Sequence, residues 1–137
     1  MIIPKEILPA LNGAIPATLA TASKDGIPNV GVMSQVFYAN EKQLAISHQF
    51  FSKTSANLKE NLRGHVQVID PITAVPWFIE VELDHEETSG DLFEQMEMQL
   101  EAIASMCGME DVFKLQAAYV FNVISIRKGD EVLRAPE

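Results

Sequence analysis

The chain has 137 residues, which predicts a single domain spanning 1–137, and 47% of them are hydrophobic, so the chain is not of the disordered class. Its formal net charge of −9 argues against nucleic acid and anionic membranes as partners, because both require a positively charged surface. The single cysteine, Cys107, rules out an internal disulfide and fits a cytoplasmic protein, and no apolar run approaches the roughly 20 residues that cross a bilayer.

The first half of the chain predicts a short helix followed by three strands. The helix covers 4–12, with Pro4 in its first turn and Gly13 as its stop, and Pro9 limits it to one or two turns. The start of the chain, with Pro4 and Lys5 directly after three residues, does not resemble a signal peptide. Asp25-Gly26 is a strong hairpin signal between the first two strands. The predicted strands are 18–22, 28–38 and 43–47.

A polar segment after the third strand is the most informative part of the sequence. It predicts a helix over 52–63 that Gly64 ends, and Ser52 is a good N-cap because its hydroxyl can accept from a free backbone N–H. Free N–H groups, the positive end of the helix dipole, Lys53 and up to three hydroxyls converge there, which suits a phosphate monoester. An ordinary capped helix with a solvated lysine has the same local pattern. The residues concerned are Ser52, Lys53, Thr54 and Ser55.

The second half predicts strands over 65–70, 77–86 and 117–127, with a helix over 89–107. Strand 77–86 alternates between apolar and polar residues, which is typical of one buried and one wet face. The last strand is apolar on both faces, so it is either central in a barrel or part of a dimer interface. The helix is amphipathic, and its apolar stripe is expected to cover a barrel opening while its acidic side faces water. The stripe consists of Leu92, Phe93, Met96, Leu100, Ile103 and Ala104.

Six strands with short turns favour a closed or nearly closed antiparallel barrel over a βαβ sheet, and no dinucleotide or Walker motif is present. His48, His65 and His85 lack the spacing of metal ligands, so no metal site is predicted. Cys107 has no lysine or arginine within a turn to lower its pKa, which favours a packed thiol over a nucleophile.

The order of these elements resembles the pyridoxamine 5'-phosphate oxidase-like, FMN-binding split-barrel family. The matching segments are ATLATASKDGIPNVGVMSQVFY, QLAIS, SKTSANLKENLRG and HVQVID, which cover roughly residues 14–83 well, whereas 117–128 matches loosely. The resemblance implies a mainly β fold, a six-stranded antiparallel split β-barrel with a short phosphate-side helix and one longer amphipathic helix. It also implies FMN as cofactor and a homodimer with the flavin at the subunit interface.

The resemblance assigns the cofactor-binding residues one by one. Lys53 matches the lysine that reaches the phosphate, with Ser52 and Thr54 beside it, and Ser47 matches a threonine-type position next to His48. The backbone of the segment 33–36 would run along the isoalloxazine edge, where the side chains of Ser34 and Gln35 offer polar contacts. That segment consists of Met33, Ser34, Gln35 and Val36.

Several departures separate the chain from the vitamin B6 oxidases of the family. Strand 30–38 lacks their arginine and lysine, Phe78 stands where they carry a flavin-contacting glutamine, and only Arg127 and Arg134 could hold a substrate phosphate. The sequence therefore predicts an FMN-binding protein that acts by hydride or electron transfer on an unidentified small molecule. The alternative is a non-catalytic or regulatory split-barrel protein.

Overall fold

A computed structural model of the chain describes residues 2–12, 14–33, 36–48, 52–106, 115 and 117–129. Ser34, Gln35, Cys107 and Arg134 lie outside the described residues, as do the side chains of His48, Ser52, Ile103 and Ala104. None of the described helices is long and apolar enough to cross a membrane.

Seven antiparallel strands form one sheet, in the order β2-β1-β5-β6-β7-β4-β3. Three helices accompany the sheet, the first of them extended by a 3-10 turn over Lys5–Ile7. The helices are α1 (Leu8–Leu11), α2 (Ser52–Glu60) and α3 (Asp91–Met106). The strands are β1 (Ala17–Ala22), β2 (Pro28–Met33), β3 (Phe37–Asn40), β4 (Gln43–His48), β5 (Arg63–Ile69), β6 (Pro76–Glu87) and β7 (Ala117–Lys128).

The two edge strands, β2 and β3, follow each other in the sequence. β2 pairs with β1, whereas β3 pairs with β4 at the other edge of the sheet. Met33 and Phe37 are four residues apart and can be separated by no more than about 14 Å, so the sheet must curl until its edges approach each other. This is the split-barrel arrangement, and the fold class predicted from sequence is confirmed.

The predicted strand count of six is wrong because the run 28–38 does not form one strand. Its first part, β2, pairs with β1, and its last part, β3, pairs with β4, so the two parts form opposite edges of the sheet. β2 therefore ends at Met33, and β3 begins at Phe37. The hairpin before this point is as predicted, with Gly26 at φ 85° in the turn between β1 and β2.

Strand β7 is buried on both faces within one chain. Tyr119, Phe121 and Val123 point into the barrel interior, where they meet the inward residues of the other strands and of α1. Ala118 and Val120 face the opposite way, toward α3. Of the two alternatives for this strand, the central position is therefore correct, and its double burial is not evidence for a dimer.

The apolar stripe of α3 packs on the outer face of the sheet and does not cover a barrel opening. Phe37, Ala45 and Val120 lie side by side in register on β3, β4 and β7, and they form one cluster with Met96 and Leu100 of α3. The acidic residues of the helix are exposed, as predicted; these are Asp91, Glu94, Glu97 and Glu101.

Helix α2 is shorter than predicted, and Gly64 does not end it. The helix ends at Glu60, and the side-chain oxygen of Asn61 accepts from the Arg63 N–H at 3.3 Å as the chain turns into β5. Gly64 lies inside β5, where an added Cβ would stand 3.1 Å from Cδ1 of Leu19. Its small size therefore serves the packing of β5 against β1.

Candidate functional site

Helix α2 packs against the interior side of β1 and β2. Thr54, Asn57 and Leu58 are its buried residues, while Lys53 is exposed in its first turn. Two of these three buried residues are polar, which is unusual for a helix that packs on a barrel interior. The helix therefore requires hydrogen-bond partners from the strands beneath it.

Side chains and a backbone group of the β1–β2 hairpin supply some of these partners. The Asn29 amide of β2 donates to the Thr54 hydroxyl at 3.1 Å, and the Asn57 amide donates to the Thr21 hydroxyl of β1 at 3.1 Å. At the far end of the helix, the Lys24 N–H donates to the Glu60 carboxylate at 3.1 Å. The hairpin thus holds α2 along its whole length.

A further contact ties the first turn of α2 to β7. The hydroxyls of Ser55 and Tyr119 are 2.6 Å apart, and Glu86 of β6 also hydrogen-bonds the phenol. Burial raises the pKa of Tyr119, and the hydrogen bond to Glu86 adds to that increase, whereas the hydrogen bond to Ser55 lowers the pKa. Either hydroxyl of the Ser55–Tyr119 pair can be the donor, because each carries one proton and two lone pairs.

The first turn of α2 carries a positive charge without a balancing acid. Its first N–H groups have no intrahelical acceptor, and no Asp or Glu is present in this turn. Lys53 adds a cation at the end of the helix where the dipole already disfavours one. An anion placed there would accept hydrogen bonds from the free N–H groups and would offset the charge of Lys53. This set of donors therefore fits a phosphate group.

The predicted site residues that the structure describes do not all lie at this turn, since Val36 lines a cavity between α1, β3 and α3. Ser47 is buried near the end of β4, opposite Ala118, and the backbone of His48 ends the strand before α2. Met33 and Val36 are buried in the interior cluster, so only their backbones remain for a ligand. Thr54 is 2% exposed, and its hydroxyl already accepts from Asn29.

Three residues that contribute to this region were missed by sequence reasoning. Asn29 and Thr21 precede α2 by more than 20 residues, and Tyr119 follows it by about 60, so no local pattern links them to the helix. The sequence marked Tyr119 only as one apolar position among several on β7. Strand pairing alone brings it to the phosphate-side helix.

A cavity of about 350 Å³ lies away from α2, between α1, β3 and α3. None of the described residues that line it is charged, and these residues do not suit a phosphate. Its lining residues are Leu8, Leu11, Asn12, Val36, Phe37, Tyr38, Leu92, Gln95, Met96 and Gln99.

His85 forms a separate, partly exposed polar cluster on β6. Its Nδ1 lies 2.6 Å from the Asp84 carboxylate, and its Nε2 lies 3.4 Å from Glu87. The hydrogen bond with Asp84 raises the pKa of His85 and lowers that of Asp84. Within the part of the chain that the structure describes, no group of three or more His, Cys, Asp or Glu side chains is arranged to hold a metal ion.

The family model for pyridoxamine 5'-phosphate oxidase matches residues 3–124 of this chain. No curated protein sequence matches the chain. Among solved structures, an FMN-binding protein from Syntrophomonas wolfei subsp. wolfei has 22% identity and a TM-score of 0.74, with 90% of this chain and 86% of that chain covered.

Two other similar structures carry different descriptions. HupZ from Group A Streptococcus has 19% identity and a TM-score of 0.71, with 93% of this chain and 94% of that chain covered. HutZ from Vibrio cholerae, described as a heme storage protein, has 19% identity and a TM-score of 0.61, with 94% of this chain and 96% of that chain covered. At these identities the likeness establishes a shared fold.

Proposed function

Because this chain belongs to the pyridoxamine 5'-phosphate oxidase family, we propose that it binds FMN and acts as a flavin-dependent oxidoreductase on a small molecule. The observation that carries the proposal is the first turn of α2. Lys53 is exposed there, no acidic residue shares the turn, and the protein as a whole has a net charge of −9. A local cationic site on an acidic protein favours a small anion such as the FMN phosphate.

The phosphate end of the cofactor would be held by α2. Lys53 and the free N–H groups of the first turn supply charge and donors, and Ser52 is the first residue of the helix. Because Thr54 is 2% exposed and its hydroxyl accepts from Asn29, its contribution to the phosphate site would be its backbone N–H. Ser47 and His48, at the end of β4, lie on the chain just before this turn.

The ring end of the cofactor would lie along the segment 33–36. The side chains of Met33 and Val36 are buried in the core, which leaves backbone groups for the isoalloxazine edge. Ser34 and Gln35 would add polar contacts there. Bound FMN supplies hydride or electron transfer, while the protein positions the ring and excludes water from it.

The substrate differs from that of the vitamin B6 oxidases under this proposal. Phe78, at the position of their flavin-contacting glutamine, lies on the outer face of β6 beside the His65 ring. The guanidinium of Arg127 lies 5.8 Å from the centre of the Phe78 ring. Arg127 therefore has an aromatic partner on the outer face, which makes it a poor candidate for holding a substrate phosphate.

A homodimer is part of the proposal, and the exposed face of β2 supports it. Val30 and Val32 are 63% and 68% exposed, and Ile27 in the adjoining turn is 66% exposed. The Val30 and Val32 side chains lie on the face of β2 opposite to α2, on an edge strand of the sheet. Exposed apolar residues on an edge strand favour association with a second chain.

The visible spectrum of the purified protein tests the proposal. We expect flavin bands, a flavin with its phosphate among the compounds released on denaturation, and bleaching of the bands by NADH or NADPH. Flavin bands that neither nucleotide bleaches would favour the alternative, a non-catalytic or regulatory split-barrel protein. A Soret band with no flavin, even after incubation with FMN, would contradict the proposal.

A further inference from the structure

Hydrogen bonds, more than apolar contacts, orient α2 on the barrel. Of its nine residues, Leu58 is the only fully buried large apolar side chain, whereas the buried Thr54 and Asn57 each bond a strand side chain. Apolar contacts are non-directional, but hydrogen bonds require specific distances and angles. The direction in which the first turn points therefore depends on these polar contacts.

Tyr119 links β7 to the first turn of α2. It is 1% exposed, and its ring belongs to the interior cluster, so its phenol oxygen has a fixed position. From there the oxygen lies 2.6 Å from the Ser55 hydroxyl in the α2 first turn, 64 residues away in the chain. This contact links the first turn of α2 directly to β7.

We propose that Tyr119 is a positioning residue, which holds the first turn of α2 through Ser55 so that Lys53 and the free N–H groups face the FMN phosphate. This inference rests on the proposed function, because it concerns the same phosphate site. It predicts that the Tyr119 hydroxyl matters for a flavin with a phosphate and not for one without it. The preference for FMN over riboflavin is therefore the quantity that it controls.

The experiment measures the dissociation constants of FMN and riboflavin for the wild type, Tyr119→Phe, Ser55→Ala and the double variant. Phenylalanine keeps the buried ring and removes only the oxygen. We expect either single change to weaken FMN binding about fivefold, the usual worth of one hydrogen bond, and to leave riboflavin binding within about twofold. Because both changes remove the same contact, the double variant should bind FMN no worse than Tyr119→Phe.

Tyr38→Phe is the matched control, since Tyr38 is 46% exposed on β3 and contacts no residue of α2 through its hydroxyl among the described hydrogen bonds. It should leave both flavin affinities unchanged. Equal losses for FMN and riboflavin in Tyr119→Phe, or no loss for either, would overturn the inference and leave the proposed function intact. A wild-type protein that binds neither flavin would contradict the proposed function and the inference together.

Discussion

A lysine that only faced solvent would not stabilise the helix at the position of Lys53. It lies in the first turn of α2, where the dipole disfavours a cation, and no acidic residue shares that turn. Lys59, in contrast, lies in the last turn of the same helix, where a cation is favourable. The two lysines therefore serve as a matched pair for testing the proposed phosphate site, because they lie at opposite ends of one helix.

We predict that Lys53→Ala weakens FMN binding by about 1–3 kcal/mol, because it removes a charge-assisted hydrogen bond to the phosphate. Quenching of flavin fluorescence during titration measures the affinity. Lys59→Ala makes the same change in net charge at the other end of α2 and should leave the affinity nearly unchanged. Equal affinities for the wild type and Lys53→Ala would mean that the phosphate binds elsewhere.

His85 gives the protein a pH-dependent contribution to stability. Its pKa is raised from 6.5 in the folded state, mainly by the hydrogen bond to Asp84. A raised pKa means that the folded state binds the proton more tightly, so this stabilisation is complete below pH 6.5 and is lost as pH rises through the folded pKa. At the acid end, the lowered pKa of Asp84 means that its contribution is lost as pH falls through that lowered value.

We expect His85→Gln to lower the free energy of unfolding at pH 6 more than at pH 8. Urea denaturation at both pH values measures the difference. The side chains of His85 and Asp84 are 46% and 42% exposed, so the effect should be small and should shrink with added salt. A variant that is destabilised equally at both pH values would show that the pair does not contribute through its charge.

At the scale of the element, α3 has two faces with different roles. Its apolar stripe forms a cluster with β3, β4 and β7, and Met96 and Leu100 are buried there. Its other face carries exposed acids. Because β7 lies between β6 and β4 in the sheet, α3 covers an interior strand of the barrel.

We predict that Leu100→Ala lowers the free energy of unfolding by about 2–5 kcal/mol, through the cavity it leaves in this cluster. Glu97→Ala, on the exposed face of the same helix, should change it by less than roughly 0.5 kcal/mol. Urea denaturation of both variants measures the two values. Small and equal changes would show that α3 contributes little to the stability of the barrel.

At the scale of the whole molecule, the exposed apolar residues of β2 contrast with the acidic character of the rest of the chain. Val30 and Val32 project from the outer face, next to Ala20 and Thr18 of β1 in register. The split in the barrel lies at the same edge, and the proposed flavin segment 33–36 follows directly after β2. A second chain docked on this face would therefore lie close to the ring end of the proposed site.

We predict that the wild type is a dimer and that Val32→Glu makes it a monomer with weaker FMN binding. A buried charge without a partner opposes association. Light scattering at micromolar concentration gives the mass, and a flavin titration gives the affinity. Ile72→Glu is the control, because Ile72 is 87% exposed in the β5–β6 turn and is not part of β2. A monomeric wild type would contradict the prediction.

Local sequence signals determined much of this molecule. The alternation in β6, the Asp25-Gly26 turn and the polar start of α2 each depend on residues a few positions apart, and these three features were predicted correctly, whereas the end of α2 was not. The tertiary structure alone decided that 28–38 divides between two edges, that β7 is covered by α3, and that Tyr119 reaches Ser55. These features depend on which distant strands pair and in which register, and period-2 and period-3.6 patterns carry no information about partners.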